Sequence, residues 1–238
     1  PSGLIGRKIW AYLPPDYNKS DKTYPVIYMH DGQNLFDAST SYAGEWGVDE
    51  LMNELYQSDQ LEVIVIGIDN GGEKRIEEYT PWENKKYGGG NADAYVNFII
   101  SEVFPTAEKQ LRIKKGPENT AILGSSLGGL VSYYIGLTRP DVFGKIGVFS
   151  PSFWYSEEVN PFTLSKGNIK DQKMYLMASY QEDPEGKTIK DTETTINNLV
   201  ISGYPETNIK TKFLQEGNHN EKLWKQEFKD AILWLFNN

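Results

Sequence analysis

The run Val63-Ile64-Val65-Ile66-Gly67-Ile68 carries no polar side chain at any position. A strand with one wet face alternates apolar and polar residues, whereas a strand apolar throughout must be covered on both faces, as in a parallel sheet flanked by helices. The run is therefore expected as a central strand. The rest of the chain agrees. Short apolar or β-branched runs recur at Arg7–Leu13, Pro25–His30, Glu62–Ile68, Thr120–Leu123, Lys145–Phe149, Lys173–Ala178 and Ile209–Leu214. Amphipathic stretches separate most of them, at Val48–Gln57, Ala92–Leu111, Leu127–Leu137, Lys187–Ile201 and Glu221–Phe236. In the last stretch Leu223, Trp224, Phe228, Ile232 and Leu235 fall at helical spacing and predict a packing face. Strands alternating with helices imply right-handed βαβ units and a mostly parallel sheet with helices on both faces. Arg7–Leu13 alternates instead, and is expected as an edge strand, antiparallel to its neighbour. At 238 residues, with no repeat or long linker, the chain is expected to be one α/β domain over residues 1–238.

Composition narrows the chemistry. There is no cysteine, so a thiol nucleophile, a disulfide framework and a Cys-ligated metal are excluded. The two histidines, His30 and His219, cannot supply a three-histidine metal site within one chain, and no metal or cofactor is expected. A net charge of −9 opposes binding to nucleic acid and to anionic membranes. The longest apolar run falls far below the roughly 20 residues of a membrane span. No basic, apolar leader opens the chain, which fits a soluble protein, either cytoplasmic or secreted with its leader removed.

In an open α/β sheet, ligands sit beyond the carboxyl ends of the strands. After Thr120–Leu123 comes Gly124-Ser125-Ser126-Leu127-Gly128-Gly129, a G-x-S-x-G sequence between a strand and a helix. That context marks a nucleophile elbow: small flanking residues let the serine take strained backbone angles, and its oxygen stands above the sheet at a helix N-terminus. Ser126 is the expected nucleophile. A base later in the chain is His219, in a glycine-containing polar loop past the last strand; His30 lies before Ser126 and is expected to be structural. Between them, the strand Lys173–Ala178 leads to Ser179-Tyr180-Gln181-Glu182-Asp183, where Glu182 and Asp183 compete as the acid that orients the imidazole. In the loop Asp31-Gly32-Gln33, the N–H of Gln33 can join that of Leu127 as an oxyanion hole, although the same residues also make an ordinary Asp-Gly turn. Aromatic residues are 13% of the chain, and Trp46, Trp82 and Trp154 are expected to shape a substrate pocket. Arg75 is expected either to pair with Glu78 or to meet a polar substrate, and Gly88-Gly89-Gly90 to form a mobile loop near the site.

Five segments together resemble one esterase family of α/β-hydrolases, which holds esterase D, enterochelin-esterase-like proteins, and the feruloyl and acetylxylan esterases of carbohydrate esterase family one. They are His30–Asp37, Arg75–Pro81, Gly124–Gly129, Ser150-Pro151-Ser152-Phe153-Trp154 and His219–Trp224. The resemblance implies an α/β-hydrolase fold, a serine hydrolase with Ser126 and His219 as nucleophile and base, and an acid three residues after a glycine. Ser179 stands in that glycine's place, which puts Glu182 at the acid position. The absent cysteines point away from the esterase D branch. The implied partner is a small-molecule or oligosaccharide ester, with a feruloyl or acetyl ester of a sugar as the leading substrate. The alternatives are a siderophore ester, acyl transfer, or a non-catalytic glycan-binding module.

Overall fold

The computed structural model describes residue 4, residues 6–42 and residues 44–237. In chain order the elements are β1 (Ile9–Tyr12), β2 (Val26–His30), α1 (Val48–Gln57), β3 (Ile64–Ile68), α2 (Arg75–Tyr79), β4 (Glu83–Asn84), β5 (Gly88–Gly89), α3 (Ala92–Phe98), α4 (Phe104–Gln110), β6 (Thr120–Ser125), α5 (Leu127–Thr138), β7 (Lys145–Phe149), α6 (Val159–Lys166), β8 (Lys173–Ser179), α7 (Lys187–Ser202), β9 (Ile209–Leu214) and α8 (Glu221–Phe236). Seven strands form one sheet in the order β1-β3-β2-β6-β7-β8-β9. All pairings in it are parallel except β1 with β3. This is an α/β-hydrolase fold.

The strand pleat sorts the core into two layers. Val26 and Tyr28, Ile64 and Ile66, Ile122, Ile146 and Val148 face one layer, which α3, α5 and α7 complete. Ile27 and Met29, Val65, Ala121 and Leu123 face the other, closed by α1 and α8. The apolar face predicted for α8 is buried at all five positions, each such side chain contributing roughly 1.5–3 kcal/mol of burial. Strand β3 is covered on both faces, as its composition requires, but it lies second from the edge. The middle of the sheet is β6, the strand that carries the elbow. Two faces of apolar residues specify double burial and say nothing of strand order.

The helix expected over Ala92–Leu111 contains a π-helical segment at Ile99–Val103. Pro105 follows it, lacking the N–H that would bond one turn back, and the ladder widens so that the Phe104 N–H reaches the Ile99 carbonyl. Gly88 and Gly89 form one strand of the β4–β5 hairpin, and Tyr155 Oη donates to the Gly88 carbonyl at 2.6 Å. The expected free loop is thus a tethered turn. Among the described residues no helix is long and apolar enough to cross a membrane.

Candidate active site

Strand β6 turns into α5 at Ser126, whose φ of 60° and ψ of −124° lie outside the regions an L-residue normally occupies. Strand β7 and the loop after it clamp the turn: the Ser126 N–H donates to the Phe149 carbonyl at 2.9 Å, and the Ser126 carbonyl accepts from Ser152 N–H at 3.1 Å. Glycine at 124 is a steric requirement, because a Cβ there would stand 2.7 Å from the Gly128 carbonyl oxygen and 2.9 Å from His30 Cδ2. The Ser126 hydroxyl meets the Ser152 hydroxyl at 3.3 Å.

His219, in the loop between β9 and α8, shares its Nδ1 proton with Glu182 Oε2 at 2.8 Å. The Glu182 side chain is fully buried beyond the end of β8, while that of His219 is 35% exposed. Glu182 Oε1 accepts from the Ser179 N–H at 2.6 Å and from the Ser150 hydroxyl at 2.8 Å. Of the two carboxylates that compete in sequence, Asp183 is occupied elsewhere. Its oxygens accept from Lys187 N–H at 2.7 Å and Thr188 N–H at 2.9 Å, in the first turn of α7. Ser126 and His219 line one cavity of about 540 Å³, within the roughly 300–1,000 Å³ typical of small-molecule sites. Ser126 Oγ points to Ser152 and not to the imidazole.

The loop after β2 forms the opposite wall. Asp31 sits in left-handed geometry with φ 56°, and its carboxylate takes Arg75 Nε at 2.7 Å and Nη2 at 2.9 Å, with Asn70 Nδ2 at 2.6 Å. Burial pushes the Asp31 carboxyl up, but the guanidinium and Asn70 outweigh it and hold it below the usual range. This clamp, with Thr40 Oγ1 donating to the Gln33 carbonyl at 2.7 Å, fixes the turn that presents the Gln33 amide. Among the described hydrogen bonds neither the Gln33 N–H nor the Leu127 N–H donates to another protein group. Leu127 opens α5, where the first amides have no acceptor within the helix.

His30 is buried directly below, with Nδ1 against Tyr95 Oη at 2.9 Å and its ring against Tyr79 and Tyr95. Burial drives its imidazole down to about 3, so it is neutral at ordinary pH. Glu221 is a buried carboxyl on the cavity wall, accepting from Asn34 Nδ2 at 3.2 Å; burial pushes it up, against the pull of its own backbone N–H.

Ser126, His219, Gln33, Arg75 and Trp46 line the cavity, though Trp46 does so only from its floor, 3% exposed and packed on Phe149, Trp224 and Phe228. Trp82 does not line it: its indole meets Tyr134 and Phe162 edge-on. Nor does Trp154, which stands 41% exposed beside Tyr87 over a separate, smaller cleft. Arg75 pairs with Asp31 and not with Glu78, because Glu78 is buried against Arg7 with two 2.7 Å hydrogen bonds. Ser150, Ser152, Glu221 and Trp224 also belong to the site; they stand in two of the segments that carry the family resemblance, but their residue types alone assign them no role.

A strained serine between strand and helix, sharing a cavity with a carboxylate-held imidazole, defines the class: an esterase-type serine hydrolase of the α/β-hydrolase superfamily. Family comparison narrows it further. Residues 6–235 match the family described as Putative esterase, and the chain belongs to it. An uncharacterized protein of Bacillus subtilis, YbbA, is 28% identical over 97% of this chain and 92% of its own length. The Endo-1,4-beta-xylanase/feruloyl esterase of Xylanibacter ruminicola is 26% identical over 95% of this chain but only 29% of its own length. The Siderophore triacetylfusarinine C esterase of Aspergillus fumigatus is 28% identical over 66% of this chain and 55% of its own. Among solved structures, an IroE-like serine hydrolase from Shewanella oneidensis superposes with a TM-score of 0.78 at 24% identity, over 97% of this chain and 75% of that one.

Proposed function

We propose that the protein hydrolyses a siderophore ester through an acyl-enzyme on Ser126. His219 takes the Ser126 proton at Nε2 as the oxygen attacks the ester carbonyl, and Glu182 keeps the other imidazole proton on Nδ1. The tetrahedral oxyanion lies against the Gln33 and Leu127 amides, each worth roughly 10²–10³ in rate. His219 protonates the leaving alcohol, then activates the water that releases the acid. Ser126 turns away from Ser152 to meet His219 when substrate binds, a tightening common at catalytic hydrogen bonds.

The observation that carries the reading is the Glu182–His219 hydrogen bond on the same cavity as the elbow serine. The substrate class rests on two supports: the name of the triacetylfusarinine C esterase relative, and a cavity wall of Asn34, Asn70, Arg75 and Glu221 suited to a substrate rich in polar groups. A feruloyl ester of a sugar is the second reading, favoured by the Xylanibacter relative. Steady-state kcat/KM on a siderophore lactone, methyl ferulate and an acetylated xylo-oligosaccharide separates them. At least tenfold preference for the lactone is expected; preference for the ferulate would move the assignment to the second reading.

A further inference from the structure

We infer that Trp224 and Ser150 form a positioning relay that sets the Glu182–His219 pair, an inference resting on the hydrolase reading above. The Trp224 indole N–H donates to Ser150 Oγ at 2.8 Å. An indole nitrogen can only donate, so it occupies a lone pair of the hydroxyl and leaves the Ser150 proton for another acceptor. That acceptor is Glu182 Oε1 at 2.8 Å, since the alternative, Met177 Sδ, is a weak acceptor at 3.7 Å. With the Ser179 N–H on the same oxygen, Oε1 holds two donors and the carboxylate cannot rotate without losing both. Oε2 is thereby aimed at His219 Nδ1. Trp224 also meets the other partner directly: its ring lies edge-on to His219, 5.3 Å between centroids at 86°. One side chain thus steers the imidazole by contact and its carboxylate through a hydroxyl.

The backbone supplies an independent observation. Ser150 has φ 44°, a left-handed conformation in which glycine would be unstrained. A side chain is kept at a position whose backbone favours having none, and the strong hydrogen bonds that side chain makes are those of the relay.

The test is a cycle of Ser150→Gly, Trp224→Phe and the double variant, with Ser126→Ala alongside. Ser150→Gly is expected to lower kcat about tenfold or more, the scale found for outer partners of metal-bound imidazoles, with KM within twofold. Its thermal midpoint should change little, because the strain that glycine relieves is offset by the buried indole N–H left without its acceptor. Trp224→Phe keeps the ring and removes the donor, so the double variant should be no slower than about the worse single one. The low-field Nδ1–H proton resonance of His219 should move in both single variants. Unchanged kcat in Ser150→Gly, single effects that multiply, or an unmoved resonance would overturn the relay. Turnover surviving in Ser126→Ala would instead overturn the nucleophile beneath it, and the proton resonance would still report on the relay.

Discussion

Replacing Glu182 with glutamine changes one atom and, through the surrounding donors, the tautomer of His219. The carboxylate presents Oε1 to Ser179 N–H and Ser150 Oγ–H and Oε2 to His219 Nδ1. Glutamine has one oxygen to place. Turned toward His219, it would set its NH₂ against two buried donors, each costing about 1–3 kcal/mol when left unpaired; turned the other way, it satisfies both and offers NH₂ to Nδ1. The second orientation wins. Nδ1 must then accept, and the single proton of the neutral imidazole moves to Nε2, the atom that receives the Ser126 proton in the proposed mechanism. An acid-to-amide exchange of this kind in a serine protease triad lowers kcat about 10⁴-fold, which corresponds to about 5.5 kcal/mol of transition-state stabilisation. Hydrolysis of p-nitrophenyl acetate should show that loss in kcat, with KM little changed and the ¹⁵N spectrum reporting the Nε2–H tautomer. Asp183→Asn is the control: the two Asp183 oxygens accept from the first amides of α7 and do not touch His219, so losing one acceptor should cost about 1 kcal/mol of stability and leave kcat near wild type. A loss below tenfold in Glu182→Gln, or an unchanged tautomer, would refute the tautomer mechanism.

Three further outcomes follow from particular side chains. His30 is buried neutral with its imidazole near 3, against about 6.5 in an unfolded chain. The unfolded state therefore gains a proton first as pH falls, and stability declines below pH 6.5 by about 1.4 kcal/mol per unit toward pH 3. Urea unfolding at pH 7.5 and 4.5 should show a drop about 2.7 kcal/mol larger in wild type than in His30→Gln, with the opposite trend of Glu221 cancelling between them; equal drops would contradict it. Ser126→Gly should be about 1 kcal/mol more stable than Ser126→Ala, since only the alanine retains the elbow strain, and equal urea midpoints would refute stored strain there. Arg75→Met strands the Asp31 carboxylate and should cost about 3 kcal/mol, much of it recovered in the double variant with Asp31→Asn; no recovery would mean that the pair is not what holds the loop.

Much of the architecture is legible in the residues because its signals are local. The seven apolar runs are the seven strands of the sheet, and Ser126, Gly124 and Gly128 stand together in sequence as they do in space. Long-range pairing is not encoded this way. Glu78 looks like a partner for nearby Arg75 but binds Arg7, 71 residues away, and Arg75 reaches back 44 residues to Asp31. Strand order fails for the same reason: the most apolar strand is doubly buried without being the middle one. Helix α2 has five residues, too few to show a period. Among the tryptophans, position in a loop does not tell a cavity wall from a packing contact, as Trp82 and Trp154 show. Trp224 is hidden differently: its helical spacing explains its burial so fully that nothing marks the indole N–H reaching Ser150.

A fluorophosphonate probe, followed by peptide mapping by mass spectrometry, decides whether Ser126 is the nucleophile of the proposed Ser–His–Glu hydrolase. One stoichiometric adduct on Ser126 is predicted in the wild type, none in Ser126→Ala, and greatly slowed labelling in His219→Ala. An adduct on another serine, or no adduct in a wild type that still hydrolyses esters, would contradict that assignment.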